Sequence, residues 1–354
     1  MANLKFGVVG VGGQGGGWTR KLNECESTDL VGVCDIRKGH IKKFAKDHNI
    51  PFWTDDYEQL LQQDLDVVVI ATPHYLHAPF TIKAAQNDIN VFCEKPMATT
   101  IKECDDMIRA ATQNDVKLGF GFQYRFNKNY IMMKEAIEKG LLGDIFQVNM
   151  FVRWYRTELY YEMSNQHWRG RWSTEGGGAL INQSVHSIDI FQWLGGEIKD
   201  ISASAHIVKH EFQETEDNVG ALLNFKNGAI GLLQAGVAYE FDNGTDEIGV
   251  YGTEGTMRLV GGVLEDKRQG KNKKVPLAEN VEKGKPNPLM ANFIRAIEED
   301  DADIISVDGE EGKKSIELIR GIYMSIINNA RVSFPVADNG TFPTLGKYYK
   351  SGMF

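Results

Sequence analysis

A chain of 354 residues is longer than one hydrophobic core usually serves, so two domains of unequal character are expected. With 42% hydrophobic and 25% charged residues it is neither disordered nor collagen-like, and a formal net charge of -9 argues against nucleic acid as the main partner, since phosphate neutralisation needs a concentrated basic face. No apolar run approaches the roughly 20 residues that span a bilayer, and the first residues lead into a strand without a signal-peptide core, so no membrane partner and a cytoplasmic location are expected.

Residues 4 to 121 alternate short apolar runs with helix-like stretches, the mark of parallel strands joined by crossover helices. In chain order the predicted strands are Leu4 to Val9, Leu30 to Cys34, Val67 to Ala71, Asn90 to Cys93 and Lys117 to Phe120, with helices near 17 to 25, 38 to 48, 77 to 87 and 100 to 113. Strands this apolar imply burial on both faces. The rhythm stops after Gly121. A helix around Asn129 to Lys139 ends at Gly140, a suitable C-cap, and strand-like Phe146 to Tyr155 follows. From about 199 to 260 the strands lengthen and alternate, and Val219 to Phe225 joined to Ala229 to Gln234 through Asn227-Gly228 predicts a hairpin. Helical patterns return at 287 to 299 and 309 to 330, before an aromatic-basic tail, Tyr348-Tyr349-Lys350. The fold class is therefore α/β: a doubly wound parallel sheet over 1–122, then an α+β domain over 123–354 with mostly antiparallel strands. The four cysteines, Cys25, Cys34, Cys93 and Cys104, show no CxxC spacing, so reduced buried thiols are expected and no metal site.

The first strand runs into Gly10-Val11-Gly12-Gly13-Gln14-Gly15, a GxGxxG turn opening a helix. Gly10 permits the tight turn, Gly12 lets backbone amides reach a pyrophosphate, and Gly15 allows helix and strand to pack closely; Gly13 and Gln14 belong to the same phosphate-facing turn. Asp35 closes the second strand 20 residues after Gly15, where a carboxylate can accept hydrogen bonds from an adenosine ribose, with Ile36 and Arg37 beside it. Asp35 repels a 2′-phosphate and so favours NAD(H), while Arg37 and Lys38 keep NADP(H) open. Thr72 and Pro73 end the next strand at the edge that would border a nicotinamide ribose, and His77 fits either that border or the start of a helix. Beyond Cys93 stand Glu94, Lys95 and Pro96, with the lysine at the carboxyl end of a parallel strand, where such sheets bind cofactor and substrate.

In the second half, Gly176-Gly177-Gly178 precedes a predicted helix on which Asn182, His186 and Asp189 fall at i, i+4 and i+7. One face then carries an amide, an imidazole and a carboxylate, with Asp189 placed to orient the His186 ring for proton transfer. A histidine satisfied in the core by polar neighbours fits the same spacing. Arg153-Trp154-Tyr155-Arg156, Tyr160-Tyr161 and Trp168-Arg169-Gly170-Arg171-Trp172 form an aromatic-basic stretch. It suits either a pyranose face with hydroxyls or an acid, or an interdomain surface.

The ordered set of Gly10-x-Gly12-x-x-Gly15, Glu94-Lys95-Pro96, Tyr124-Arg125-Phe126 and Gly176-Gly177-Gly178 through His186-x-x-Asp189 resembles the Gfo/Idh/MocA family over essentially the whole chain. That resemblance implies a Rossmann domain, a C-terminal domain with an open, mostly antiparallel sheet for substrate binding and oligomerisation, and NAD(P)-dependent redox chemistry on a sugar, sugar derivative or cyclitol. It also implies a homodimer or homotetramer. Lys95 matches the family's catalytic lysine and His186 its catalytic histidine. Substrate contacts are expected from Lys95, Tyr124, Arg125, Arg153, Tyr155, Trp172, Asn182 and His186, and cofactor contacts extend to Glu94 and Lys95. Asn182 stands where many relatives carry aspartate; an amide cannot act as a base, so proton transfer concentrates on His186. Two other readings share the fold: a redox-neutral enzyme using bound NAD, and a sugar-responsive regulator without catalysis.

Overall fold

The computed structural model describes residues 3–163, 168–241, 244–268, 272–276 and 285–336. The tail Tyr348-Tyr349-Lys350 lies outside these residues. The chain divides into two compact units, the first taking the described residues 3–98, 103–122 and 285–313, the second 99–102, 123–276 and 314–336.

In the first unit, chain order runs β1 (Leu4–Val9), α1 (Gly13–Asn23), β2 (Thr28–Cys34), α2 (Lys38–Asp47), β3 (Phe52–Thr54), α3 (Tyr57–Leu61), β4 (Val67–Ile70), α4 (His77–Ala85), β5 (Asn90–Cys93), α5 (Ile101–Gln113) and β6 (Leu118–Phe120). All five strand pairings are parallel and the spatial order is β3-β2-β1-β4-β5-β6. That is the order of a dinucleotide-binding doubly wound sheet, whose direction reverses between β1 and β4. Val67, Val68, Val69 and Ile70 are wholly buried, as strands covered by helices on both faces must be. The helix Pro288–Glu298 adds to this core through Phe293, whose ring meets Phe92 edge-on at 5.5 Å.

Two elements lie outside the sequence expectation. β3 has three residues and follows Pro51, too short for a periodicity signal, and α3 has five. α3 did carry a mark: Asp56 caps it by accepting from Glu58 N, and Gln59 Nε2 donates to the same carboxylate. α1 begins at Gly13, earlier than the predicted start near 17, because Gly13 to Gly17 lie inside its first turns, with Gly16 N donating to Gly12 O at 2.8 Å. Low glycine propensity hid a helix start held by tertiary packing.

The second unit continues with α6 (Lys128–Glu138), β7 (Ile145–Arg153), α7 (Glu158–Glu162), α8 (Trp172–Glu175) and α9 (Val185–Gly195). Then come β8 (Ile198–His206), β9 (Asn218–Phe225), β10 (Ile230–Gly236), β11 (Thr245–Gly252), β12 (Gly255–Val260), β13 (Val263–Arg268), β14 (Lys273–Pro276) and β15 (Val332–Ser333). These build a nine-stranded open sheet, antiparallel except where β7 and β10 run parallel. The β9–β10 hairpin turns at Gly228, whose φ of 92° needs glycine. α9 buries Ile188, Ile190, Phe191 and Leu194, while Leu222 and Ile230 remain 44% and 45% exposed. No helix among the described residues is long and apolar enough to cross a membrane.

Candidate active site

In the first unit, the glycine turn is shaped by two kinds of glycine. Gly10 has φ 85°, and a Cβ there would lie 2.6 Å from Ala71 O; a Cβ on Gly15 would lie 1.7 Å from Gly10 O. Those two are required by packing. Gly12 and Gly13 face open space instead, which leaves room for a pyrophosphate against the first N–H groups of α1. Thr72 Oγ1, beside this turn at the end of β4, is buried without a hydrogen-bond partner among the described residues. An orphaned hydroxyl and an open glycine cradle fit a dinucleotide.

Asp35, buried at the end of β2, accepts from Val11 N at 3.1 Å and from Arg37 through N, Nε and Nη2 at 3.0, 2.7 and 2.7 Å. Burial alone would push its pKa up, yet these hydrogen bonds outweigh it and hold the carboxyl below the usual aspartate range. Ile36 follows with its side chain 63% exposed. Arg37 is thus engaged by Asp35, not held apart from it.

Glu94 is buried and accepts from Trp18 Nε1 at 2.6 Å and from Lys95 N at 3.3 Å; burial raises its pKa. Trp18 belongs to α1, so the turn bearing Lys95 is fastened to the helix that begins at the glycine turn. The Lys95–Pro96 peptide is cis, and Lys95 itself is half-buried. His77 is buried, with Nδ1 2.7 Å from Pro96 O and Nε2 3.0 Å from Thr72 O. Its ring therefore bridges the turns after β4 and β5. Trp18 carried no sequence mark of this role beyond lying on the helix opened by the glycines.

In the second unit, the expected single helix bearing Asn182, His186 and Asp189 is broken. Ala179–Gln183 forms a wide π-type turn in which Ser184 N donates to Ala179 O at 3.0 Å, and α9 starts only at Val185. Asn182 therefore does not share a regular helical face with His186 and Asp189. The cause lies in the glycines: a Cβ on Gly177 would sit 2.1 Å from Tyr323 Oη and one on Gly178 2.0 Å from Glu216 O. This backbone is held against a buried carboxylate, Glu216, which accepts from Gly178 N and Leu180 N at 3.0 and 3.1 Å and from Tyr323 Oη at 2.9 Å.

His186 is half-buried; the Tyr124 ring stacks on it at 5.0 Å and Gln123 Nε2 lies 3.3 Å from its Nε2. Asp189 is committed differently from the sequence expectation: both its oxygens accept from buried Arg125, at 2.8 and 2.7 Å. Arg125 in turn lies 4.9 Å from the Trp193 ring. Asn182 Nδ2 donates to Glu175, a fully buried acid that also accepts from Gly170 N at 2.6 Å. Arg153 Nε donates to Gln234 at 3.3 Å, Tyr155 bridges to Ala238, and Trp172 Nε1 donates to Glu214 O at 2.6 Å. Glu216 and Tyr323 escaped the sequence reading because their partners lie far along the chain, and Glu175 because nothing in its local spacing marks it as buried.

Desolvation pushes Glu175 up to about 8 and Glu216 up to about 7, against the pull of their hydrogen bonds. Carboxyls whose folded pKa exceeds the unfolded value bind more protons when folded, so stability falls as pH rises from about 4.5 to about 8. Glu175→Gln keeps the shape and one acceptor oxygen, for Gly170 N or Asn182 Nδ2, and removes the titrating proton. It is expected to flatten that decline, measured as the difference in melting temperature between mildly acidic and mildly alkaline buffer.

Among the described residues no group of three or more His, Cys, Asp and Glu is arranged to hold a metal ion. A parallel β3-β2-β1-β4-β5-β6 sheet with its glycine turn and strand-end aspartate, followed by an open mixed sheet, is the architecture of an NAD-binding oxidoreductase. The chain belongs to the Gfo/Idh/MocA family: residues 4–122 match the oxidoreductase family model with an NAD-binding Rossmann fold, and residues 130–258 the GFO/IDH/MocA C-terminal domain. It is similar to the myo-inositol 2-dehydrogenase of Thermotoga maritima, 24% identical over 89% of this chain and 94% of that one. It is also similar to the 2,7-anhydro-N-acetylneuraminate hydratase of Mediterraneibacter gnavus, 26% identical over 73% and 68%. Among solved structures, the WlbA dehydrogenase of Bordetella pertussis, in complex with NADH and UDP-GlcNAcA, is 28% identical with a TM-score of 0.83 over 95% of this chain and 100% of that one.

Proposed function

We propose that the protein oxidises a secondary alcohol of a sugar, sugar derivative or cyclitol, or reduces the corresponding ketone, with NAD(H) preferred. The observation that carries this reading is Lys95 at the end of β5, in a turn fastened through Glu94 and Trp18 to the helix of the glycine turn. Bound nicotinamide supplies the hydride acceptor or donor. Gly12, Gly13 and Gln14 receive the pyrophosphate, Asp35 the adenosine ribose, and Ile36 offers an apolar surface beside it. Thr72 Oγ1 and Pro73 border the nicotinamide ribose. The Lys95 ammonium donates to the substrate oxygen and stabilises alkoxide charge, and His186 takes the hydroxyl proton. Tyr124 backs His186, and Asn182 reads a neighbouring hydroxyl. The reading includes a homo-oligomer formed through the outward sheet face of Leu222 and Ile230, and its buried free cysteines suit the cytoplasm.

Preference for NAD follows from Asp35, since the arginine that would clamp a 2′-phosphate already holds that aspartate. NADPH is expected to bind at least about tenfold more weakly than NADH. Asp35→Ser should narrow the gap, as read by fluorescence titration of each cofactor; equal affinities in the parent protein would count against the assignment.

The reading is tested by incubating the protein with NAD and a panel of cyclitols, neutral sugars, uronates and nucleotide sugars, and following both NADH and product. Net NADH in step with product supports it. The hydratase named among the relatives favours a second reading, in which product forms with no net NADH.

A further inference from the structure

We infer that the second unit carries an anion-binding subsite built on Arg156 and Arg169, which takes the carboxylate or phosphate of an acidic sugar. The inference rests on the dehydrogenase reading for its role in catalysis, but the subsite is argued from the arginines alone.

The two guanidinium groups flank one ring: Arg156 Cζ lies 5.3 Å from the centroid of Tyr160 and Arg169 Cζ 4.4 Å from it. Trp154 meets Arg156 at 4.7 Å and Trp168 meets Arg169 at 4.8 Å, so cations and rings alternate in one ladder. Neither arginine forms an ion pair with a carboxylate among the described residues, in contrast to Arg125 with Asp189 and Arg37 with Asp35. Arg156 spends Nε and Nη2 on Gln183 Oε1 and Nη1 on Tyr155 O, all neutral acceptors. Arg169 Nε is buried with no hydrogen-bond partner among the described residues. Two like charges gathered on one ring with no ion-paired carboxylate favour an anion that joins them. Guanidinium groups held over aromatic rings keep N–H donors that match a carboxylate or phosphate.

Nearby acids compensate only in part. The field of Arg169 reaches Glu175, whose pKa burial raises, and that of Arg156 reaches Asp246, which accepts from Trp154 Nε1 at 2.6 Å. The ladder is tied to the turn preceding His186, because Tyr160 Oη accepts from Gln183 Nε2 at 2.7 Å and from Asn182 Nδ2 at 3.4 Å. An acidic group held by the ladder is thereby anchored to the same turn that leads into the proposed proton acceptor. On this inference the aromatic-basic stretch serves ligand recognition.

The test uses the full chain loaded with NADH and calorimetric titration with two matched pairs, D-glucuronate with D-glucose for the carboxylate and D-glucose 6-phosphate with D-glucose for the phosphate. The acid of at least one pair is expected to bind tenfold or more tightly than its neutral partner. Arg169→Gln should bring that ratio to within about threefold and leave NADH affinity unchanged, with Arg156→Gln as an independent variant. The arm that shows the arginine dependence identifies carboxylate or phosphate. Neutral members binding as tightly as the acids, or Arg169→Gln weakening both alike, overturns the subsite. If acids bind through Arg169 yet yield no net NADH, the dehydrogenase reading fails and the subsite stands. If only neutral sugars yield NADH, the subsite fails and the dehydrogenase reading stands.

Discussion

Lys95→Ala is expected to lower turnover by ~10² to 10³ while leaving NADH affinity within about threefold of the parent protein, because the lost ammonium acts on the developing alkoxide. The local structure supports a clean experiment. The backbone of the turn is held by groups other than the Lys95 side chain: Glu94 accepts from Trp18 Nε1 and from Lys95 N, and His77 lies against the Pro96 and Thr72 carbonyls. Truncating the side chain leaves each of those contacts in place. The loss should fall on kcat more than on KM, since charge on the oxygen develops only as hydride leaves or arrives. Lys95→Arg keeps the charge but replaces a compact donor with a planar fork, and should recover only part of the activity. Near-normal turnover of Lys95→Ala at saturating cofactor would remove Lys95 from the chemistry.

His186→Ala is expected to cost ~10² to 10⁴ in turnover, the usual span for removal of a general base. Its signature is in the pH profile. If the imidazole accepts the hydroxyl proton, the acidic limb of kcat/KM for oxidation belongs to His186, and the variant should lose that limb while activity climbs with hydroxide. A residue that merely packs under Tyr124 would instead lower activity equally at all pH values. Asn182 cannot substitute, since its amide is neither acid nor base and is already bonded to Glu175. Asp189 is a weak candidate for rescue as well, because Arg125 holds both its oxygens.

The parts of the molecule legible in the sequence are those that depend on neighbouring residues. β1 and β5 have the predicted bounds, Leu4–Val9 and Asn90–Cys93, because strands buried on both faces announce themselves by uninterrupted apolar runs. The hairpin at Asn227-Gly228 was readable for a similar reason: a tight turn needs those residue types at that point. The start of α1 was not readable, since the same glycines that open a phosphate cradle lower helix propensity. Nor was the break at Ser184, which depends on Glu216 and Tyr323 approaching Gly177 and Gly178 from distant positions. The pairing of Arg125 with Asp189 shows the same limit. Spacing along the chain brought Asn182, His186 and Asp189 together, but which of them bond to one another was decided by tertiary packing.

The account stands or falls on hydride transfer between substrate carbon and nicotinamide. The most direct measurement gives the NAD-loaded protein a substrate found in the sugar panel, deuterated at the carbon that bears the reacting hydroxyl, and determines the mass of the reduced cofactor. The account predicts that the label appears in the reduced nicotinamide in step with ketone formation, with a slower rate for the deuterated substrate. Product formed with the label lost to water and no reduced cofactor accumulating would contradict it.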